Sequence, residues 1–109
     1  MGELDNTVAV ITGAARGQGR SHAVALAAQG ADIIGVDMCA DVEAIPYPLS
    51  SRADLDETGR LVAATGRRMV PVVADVRNLA QLEAGVAAAV AAVGDVDIVV
   101  ANAGVVAIG

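Results

Sequence analysis

The chain has 109 residues, of which 55% are hydrophobic, and it contains one tyrosine but no phenylalanine or tryptophan. This length suits one small domain, and the aliphatic composition suits a parallel β-sheet covered by helices. A net charge of −6 without a basic cluster excludes a nucleic-acid surface, and the apolar runs are too short to span a membrane.

Segments with strand character alternate with segments of helical character along the chain, in the order βαβαβαβ. Strands are expected at residues 7–12, 32–37, 68–74 and 97–101. Helices are expected at residues 20–29, 51–64 and 78–93. This alternation predicts an α/β fold with a parallel sheet and right-handed crossovers. The expected strand order is 3-2-1-4, which places the switch point between strands one and four.

Boundary signals mark the second and third helices. Ser51 and Asp54 have the spacing of a capping box, whereas Gly59 in the helix interior costs roughly 1 kcal/mol relative to alanine. Asn78 is the expected N-cap of the third helix. The apolar residues expected to share one face of that helix are Leu79, Leu82, Val86, Val90 and Val93.

The connection between the first strand and the first helix is rich in glycine, at Gly13, Gly17 and Gly19. The first glycine permits a tight turn, the second lets backbone N–H groups approach phosphate oxygens, and the third lets the helix pack closely. The positive end of the helix then points at the anion. This connection predicts a diphosphate site, although the glycine spacing alone also fits a structural turn.

Polar residues follow the other three strands. Asp37 comes about 20 residues after the glycine-rich turn, where an acid can accept hydrogen bonds from an adenosine ribose. Asp75 and Val76 follow the third strand, and residues 102–104 follow the fourth. Because the carboxyl ends of parallel strands lie at one edge, these residues are expected to converge on one crevice. The structural alternatives are a solvated strand end for Asp37 and a turn cap for Asp75.

This combination of motifs resembles the cofactor half of the short-chain dehydrogenase/reductase family over the whole chain. The resemblance implies a Rossmann-type, three-layer αβα fold, with residues 1–109 as an NAD(P)-binding domain that stops before the catalytic half. It also implies adenine contacts for Asp75 and Val76 and a ribose contact for Asn102. Ala101 departs from the family's Asn-Asn-Ala-Gly motif, because it replaces the first asparagine. The implied cofactor-binding set is Gly13, Arg16, Gly17, Gln18, Gly19, Asp37, Met38, Asp75, Val76, Asn102, Ala103 and Gly104.

Two charged residues bear on the choice of dinucleotide. The carboxylate of Asp37 would repel the 2′-phosphate of NADP. In the family, a basic residue at the position of Arg16 often accompanies NADP. Because the aspartate would lie nearer the 2′ oxygen, we expect NAD rather than NADP.

The family's catalytic residues do not occur in this chain. All seven basic residues are arginine. In the family, a lysine binds the nicotinamide ribose and lowers the pKa of the catalytic tyrosine, while a serine orients the substrate oxygen. Tyr47 does not fit the Tyr-x-x-x-Lys motif, because Ser51 stands at the lysine position. The resemblance implies an NAD-dependent oxidoreductase of alcohols or ketones, represented by a cofactor-binding fragment that is inactive alone and has no catalytic residue.

A closer resemblance is to the mycofactocin-associated, carveol-dehydrogenase-like branch of the family. It rests on residues 17–23 and on the long insert 38–68, which contains Ile45-Pro46-Tyr47-Pro48. Gln18 stands where the family usually has isoleucine. The resemblance implies that the insert lies over the NAD and hinders its exchange, with mycofactocin as the external electron acceptor.

Two alternatives stay open: a non-catalytic NAD-binding module, and another Rossmann-type binder such as a methyltransferase. The residues show no metal-site spacing, and His22 is expected to be a packed or surface group. The single Cys39 and the lack of a signal peptide favour the cytoplasm. We expect a small-molecule substrate, no nucleic-acid or membrane partner, and a homotetrameric or homodimeric full-length parent.

Overall fold

The computed structural model describes residues 4–38, 52–75 and 78–101. Strands and helices alternate through these residues, which confirms the predicted order of elements. In chain order they are β1 (Val8–Thr12), α1 (Gly17–Ala28), β2 (Asp32–Asp37), α2 (Arg52–Ala63), β3 (Met69–Val73), α3 (Leu79–Val93) and β4 (Ile98–Ala101).

The strands of the described residues form one parallel sheet in the order β3-β2-β1-β4, which confirms the predicted order. In the register of β1 and β2, Val8 lies opposite Asp32 and Thr12 lies opposite Val36. The carboxyl ends of these two strands therefore lie side by side, so the glycine-rich turn after β1 is next to Asp37.

Apolar side chains fill both faces of the sheet. One core cluster joins the sheet to α1 and α2 and includes Ala9, Ile11, Ala23, Ala27, Ile33, Leu55 and Val62. The other joins the sheet to α3 and includes Val8, Val10, Ile34, Val36, Val72 and Ala89. Successive residues of β1 thus contribute to opposite faces, as strand geometry requires. Helices on both sides of the sheet give the predicted three-layer αβα architecture.

Two local predictions are wrong. α1 begins at Gly17 rather than at Arg20, because the end of the glycine-rich segment itself forms the first helical turn. Leu79 is 64% exposed, since it occupies the first position of α3, ahead of the residues that pack on the sheet. The other members of the predicted face are partly buried against the second core cluster, namely Leu82, Val86, Val90 and Val93.

Gly59 in α2 has a packing reason. A Cβ at this position would lie 3.3 Å from the Met69 side chain of β3. The helix therefore packs closely against the sheet at Gly59, and a larger residue would require the end of the Met69 side chain to shift by a few tenths of an ångström. Ser51, the other half of the predicted capping box, lies outside the described residues.

Candidate functional site

The glycine-rich turn has the backbone geometry that its spacing predicts. Gly13 and Gly17 have φ values of 67° and 60°, a region that favours glycine. A Cβ on Gly19 would overlap the carbonyl group of Gly13, whose carbon would lie only 2.6 Å away. A Cβ on Gly17 would meet nothing within 4 Å. The chain therefore packs tightly at Gly19 and leaves open space beside Gly17.

The first turn of α1 presents backbone N–H groups that the N-cap side chain does not satisfy. Arg16 is the N-cap residue, and its side chain makes no capping hydrogen bond, because a guanidinium has no acceptor atom. The first turn also contains no acidic residue. First-turn amides lack intrahelical acceptors, and the helix dipole adds partial positive charge there. The exposed Gly17 and Gln18 thus belong to a helix end that is chemically suited to an anion.

Asp37 lies at the carboxyl end of β2 and is directed towards the glycine-rich turn. Its carboxylate Oδ2 accepts a hydrogen bond from the backbone N–H of Ala15, at 3.2 Å. The residue is only 9% exposed. The neighbouring strand residue also holds the turn, because the Ala14 N–H donates to the Val36 carbonyl at 3.1 Å. The structure therefore places the glycine-rich turn, predicted to bind the diphosphate, next to Asp37, predicted to bind the ribose. The partly buried Met38 follows directly.

Asp75 is held by the first turn of α3. Its N–H donates to Gln81 Oε1 at 2.8 Å, and its carbonyl accepts from the Asn78 N–H at 2.8 Å. Asn78 caps α3 as predicted, since its side chain accepts a hydrogen bond from the Gln81 N–H at 3.1 Å. The backbone of Asp75 is thus fixed at the carboxyl edge of the sheet, just after β3.

Arg16 is exposed and lies close to a carboxylate on α2. Its Nε is 3.9 Å from Asp54 Oδ2, with side-chain exposures of 52% and 35%. Such a pair is weak in water, yet it places a negative charge beside the arginine that the NADP interpretation would use.

Sequence reasoning missed two residues that contact the glycine-rich turn from outside it. The fully buried Thr58 of α2 has its hydroxyl oxygen 2.8 Å from the Ala14 carbonyl oxygen. Arg20 of α1 donates from Nε to that hydroxyl at 2.9 Å and from Nη2 to the Ala15 carbonyl at 2.6 Å. A buried threonine in an amphipathic helix gives no sequence signal of its partner, so only the packing of α1 against α2 reveals this contact.

Several predicted site residues lie outside the described residues. They are Val76, Asn102, Ala103 and Gly104, and the same holds for Cys39, Tyr47 and Ser51. Of the predicted cofactor-binding set, the structure brings together the glycine-rich turn, Arg16 and Asp37, and it places Asp75 at the end of β3.

Other ionisable side chains form no second centre in the described residues. His22 is exposed on α1, as the surface interpretation expects. The hydrogen bond from Arg60 lowers the pKa of the Glu57 carboxyl, and the same bond raises the pKa of Arg60. This pair lies on the solvent side of α2. Within residues 4–38, 52–75 and 78–101 no cluster of metal-ligating side chains occurs. None of the helices in these ranges has the length and hydrophobicity that a membrane span requires.

The short chain dehydrogenase family model matches residues 7–109. The chain belongs to the short-chain dehydrogenase/reductase family. Family membership confirms the resemblance stated from the motifs, and it sets aside the methyltransferase alternative.

Similar proteins within this family share about half of the residues. The chain is 50% identical to (−)-trans-carveol dehydrogenase of Rhodococcus erythropolis over 108 residues, covering 99% of this chain and 39% of the relative. It is 51% identical to an uncharacterised NAD-dependent oxidoreductase of Mycobacterium tuberculosis over 105 residues, covering 95% of this chain and 38% of the relative. The chain thus spans about two fifths of the length of these short-chain dehydrogenase/reductase relatives.

Solved structures of the family match the fold closely. Carveol dehydrogenase from Mycobacterium avium in complex with NAD superimposes with a TM-score of 0.92 at 50% identity, covering 96% of this chain and 38% of that one. A short chain dehydrogenase from Mycobacterium paratuberculosis bound to NAD gives 0.90 at 54% identity, covering 97% and 40%. The resemblance to the carveol-dehydrogenase-like branch is confirmed.

Proposed function

We propose that this protein is an NAD-dependent oxidoreductase that transfers hydride between the cofactor and an alcohol or ketone, and that residues 1–109 supply its dinucleotide-binding part. The observation that carries the proposal is the contact between Asp37 and the glycine-rich turn. Ribose recognition and diphosphate recognition need these two features side by side, and the Ala15 N–H joins them at 3.2 Å.

The shape and charge of the site fit a dinucleotide. The open space beside Gly17 and the first-turn amides of α1 suit a diphosphate. A carboxylate at the end of β2 suits two neighbouring ribose hydroxyls, which are donors. Asp75 would contact the adenine, with Val76, while Asn102, Ala103 and Gly104 would line the ribose and nicotinamide side.

Charge favours NAD over NADP. A 2′-phosphate would approach the Asp37 carboxylate, which is nearly buried and therefore poorly screened. The arginine that could compensate, Arg16, already lies near Asp54. Two NAD-bound relatives and an NAD-dependent oxidoreductase among the similar proteins support the same choice.

The residues of this chain bind and orient rather than transfer protons. When bound, the nicotinamide ring carries the hydride. The glycine-rich turn holds the diphosphate, and Asp37 fixes the adenosine end. The proton of the substrate hydroxyl would be handled by a serine, tyrosine and lysine of the family type, which residues 1–109 do not contain in the required motif.

Four finer points belong to the proposal. The substrate is a small alcohol or ketone, in keeping with the carveol dehydrogenases among the relatives. The complete protein forms a homotetramer or homodimer and works in the cytoplasm. Mycofactocin serves as the external electron acceptor, a proposal that rests on the branch resemblance and on the insert at residues 38–68.

Calorimetric titration of the protein, expressed as its native gene encodes it, tests the proposal. NAD, NADP and S-adenosylmethionine are titrated separately. We expect NAD to bind in the micromolar range, NADP at least about tenfold more weakly, and S-adenosylmethionine not at all. NAD reduction with a panel of secondary alcohols then distinguishes an oxidoreductase from a non-catalytic binding module. Absence of binding by both dinucleotides would overturn the proposal.

A further inference from the structure

Three consecutive peptide groups of the glycine-rich turn are held by hydrogen bonds from outside the turn. The group between Gly13 and Ala14 donates its N–H to the Val36 carbonyl. In the next peptide group, the Ala14 carbonyl oxygen accepts from the Thr58 hydroxyl, and the Ala15 N–H donates to the Asp37 carboxylate. The carbonyl of the next group, after Ala15, accepts from Arg20 at 2.6 Å.

The middle peptide group connects α2 to the carboxylate at the end of β2. Its carbonyl oxygen and its N–H belong to one rigid plane. A rotation of that plane would lengthen the Thr58 contact at 2.8 Å and the Asp37 contact at 3.2 Å together. The position of Thr58 therefore limits the orientations that the Asp37 carboxylate can adopt.

Arg20 fixes the orientation of the Thr58 hydroxyl. Because Arg20 Nε donates to the hydroxyl oxygen at 2.9 Å, the hydroxyl hydrogen is directed to a carbonyl acceptor. The nearest carbonyl oxygen is that of Ala14, at 2.8 Å, whereas those of Ala15 and Asp54 lie at 3.2 Å and 3.3 Å. Arg20 Nη2 also donates to the Asp54 carbonyl at 2.8 Å. One guanidinium thus connects α1, α2 and the turn, and a buried hydroxyl is satisfied as donor and acceptor.

We infer that Arg20 and Thr58 are positioning residues for the dinucleotide, which hold the Ala14–Ala15 peptide so that Asp37 discriminates NAD from NADP. The inference rests on the proposed function, since it explains the preference for NAD over NADP at the same dinucleotide site. It makes α2 part of the structure that selects the dinucleotide, because the fully buried Thr58 acts through the turn and Asp37.

Dissociation constants for NAD and NADP, measured by calorimetry on the native protein, test this role. Thr58→Val removes the hydroxyl and keeps the shape. Its NADP-to-NAD ratio of dissociation constants should fall about fivefold, the change expected when one buried hydrogen bond is lost. Thr58→Ser keeps the hydroxyl and should retain the native ratio. Arg20→Lys keeps the charge but cannot reach three acceptors in one plane, so the ratio should fall there as well.

Matched controls separate positioning from general stability. Thr65→Val removes a hydroxyl that bonds the Val62 carbonyl at the end of α2, and Arg68→Met removes a guanidinium that bonds the Ala92 carbonyl. Both controls should leave the ratio of the NADP and NAD dissociation constants unchanged, even if they lower the melting temperature as much as the Thr58 and Arg20 variants do. In an Asp37→Ala background, Thr58→Val should no longer alter the ratio, because the residue that it positions is gone.

The two proposals fail differently. If the native protein binds neither dinucleotide, the proposed function fails. If the native protein prefers NAD through Asp37, but folded Thr58→Val and Arg20→Lys both keep the native ratio, the positioning role is overturned. Should Thr58→Val not fold, Arg20→Lys decides the matter by the same ratio: a fall supports the positioning role, and a native ratio overturns it.

Discussion

At the scale of single residues, the cofactor preference is assigned to Asp37. Replacing it with alanine or serine removes the charge that repels a 2′-phosphate and one acceptor for ribose hydroxyls. We expect NAD affinity to fall about tenfold, the loss typical of a charged hydrogen bond, and NADP affinity to rise. Titration of both dinucleotides measures the two effects.

Asp32 provides the control on the same strand. It lies at the opposite end of β2, where its carboxylate contacts Arg67 and the Arg68 N–H. Asp32→Ala should leave the dinucleotide preference unchanged. A native protein that binds NADP more tightly than NAD would mean that Arg16 dominates and that the role given to Asp37 is wrong.

Gly17 is the residue whose replacement should most directly block the diphosphate. A valine side chain would occupy the open space beside it and would also be strained at a φ of 60°. We expect Gly17→Val to abolish NAD binding and to lower the free energy of unfolding by about 1–3 kcal/mol. Calorimetry and urea unfolding measure the two changes.

Gly66 is a control that separates backbone strain from blockage of the diphosphate site. It has a φ of 89°, and a Cβ there would meet nothing within 4 Å, as at Gly17. Gly66→Val should lower stability to a similar extent and retain NAD affinity. Unchanged NAD affinity in folded Gly17→Val would show that the turn is merely structural.

At the scale of elements, the N-terminus of α3 holds Asp75 in place. Asn78→Ala removes the acceptor for the Gln81 N–H and should lower the free energy of unfolding by about 1 kcal/mol. Asn78→Asp keeps an acceptor and should retain stability. Chemical denaturation of the three proteins checks this, and an alanine variant as stable as the native protein would contradict the capping role.

The sequence predicts the elements well because each carries a strong local signal. The apolar runs of β1 and β2 and the N-cap at Asn78 are local features, and the alternation of strands and helices favours the doubly wound strand order. The start of α1 at Gly17 escapes prediction, because glycine has low intrinsic helix propensity and the close packing of Gly19 on Gly13 is not visible in the sequence. The hydrogen bond between Arg20 and Thr58 joins positions 38 residues apart, and the periodicity of the sequence does not predict such a contact.

At the scale of the whole molecule, β4 is the edge of the sheet in the described residues. Ile98 and Val100 pack against the first core cluster, whereas Val99 is 68% exposed. On its side of the sheet an apolar groove is lined by Val10, Thr12, Leu82, Glu83, Val86, Ala87, Val96 and Val99. Uncovered apolar surface at a sheet edge is unfavourable in water.

Residues 1–109 expressed alone should therefore be poorly stable and should catalyse no hydride transfer. Chain entropy opposes folding by roughly 1–2 kcal/mol per residue, and an exposed edge reduces the burial that offsets it. The segment also lacks lysine. Sedimentation, thermal melting and alcohol-dependent NAD reduction test both parts. A cooperatively melting monomer would refute the stability prediction, and turnover above a Tyr47→Phe control would refute the catalytic one.

The central claim is that the glycine-rich turn and Asp37 together form an NAD site. A crystal structure of the native protein with NAD tests it most directly. We expect the diphosphate within hydrogen-bonding distance of the first-turn amides of α1, and an adenosine ribose hydroxyl on the Asp37 carboxylate while the Ala15 N–H contact is kept. A dinucleotide bound elsewhere, or bound here with Asp37 turned away from the ribose, would contradict the account.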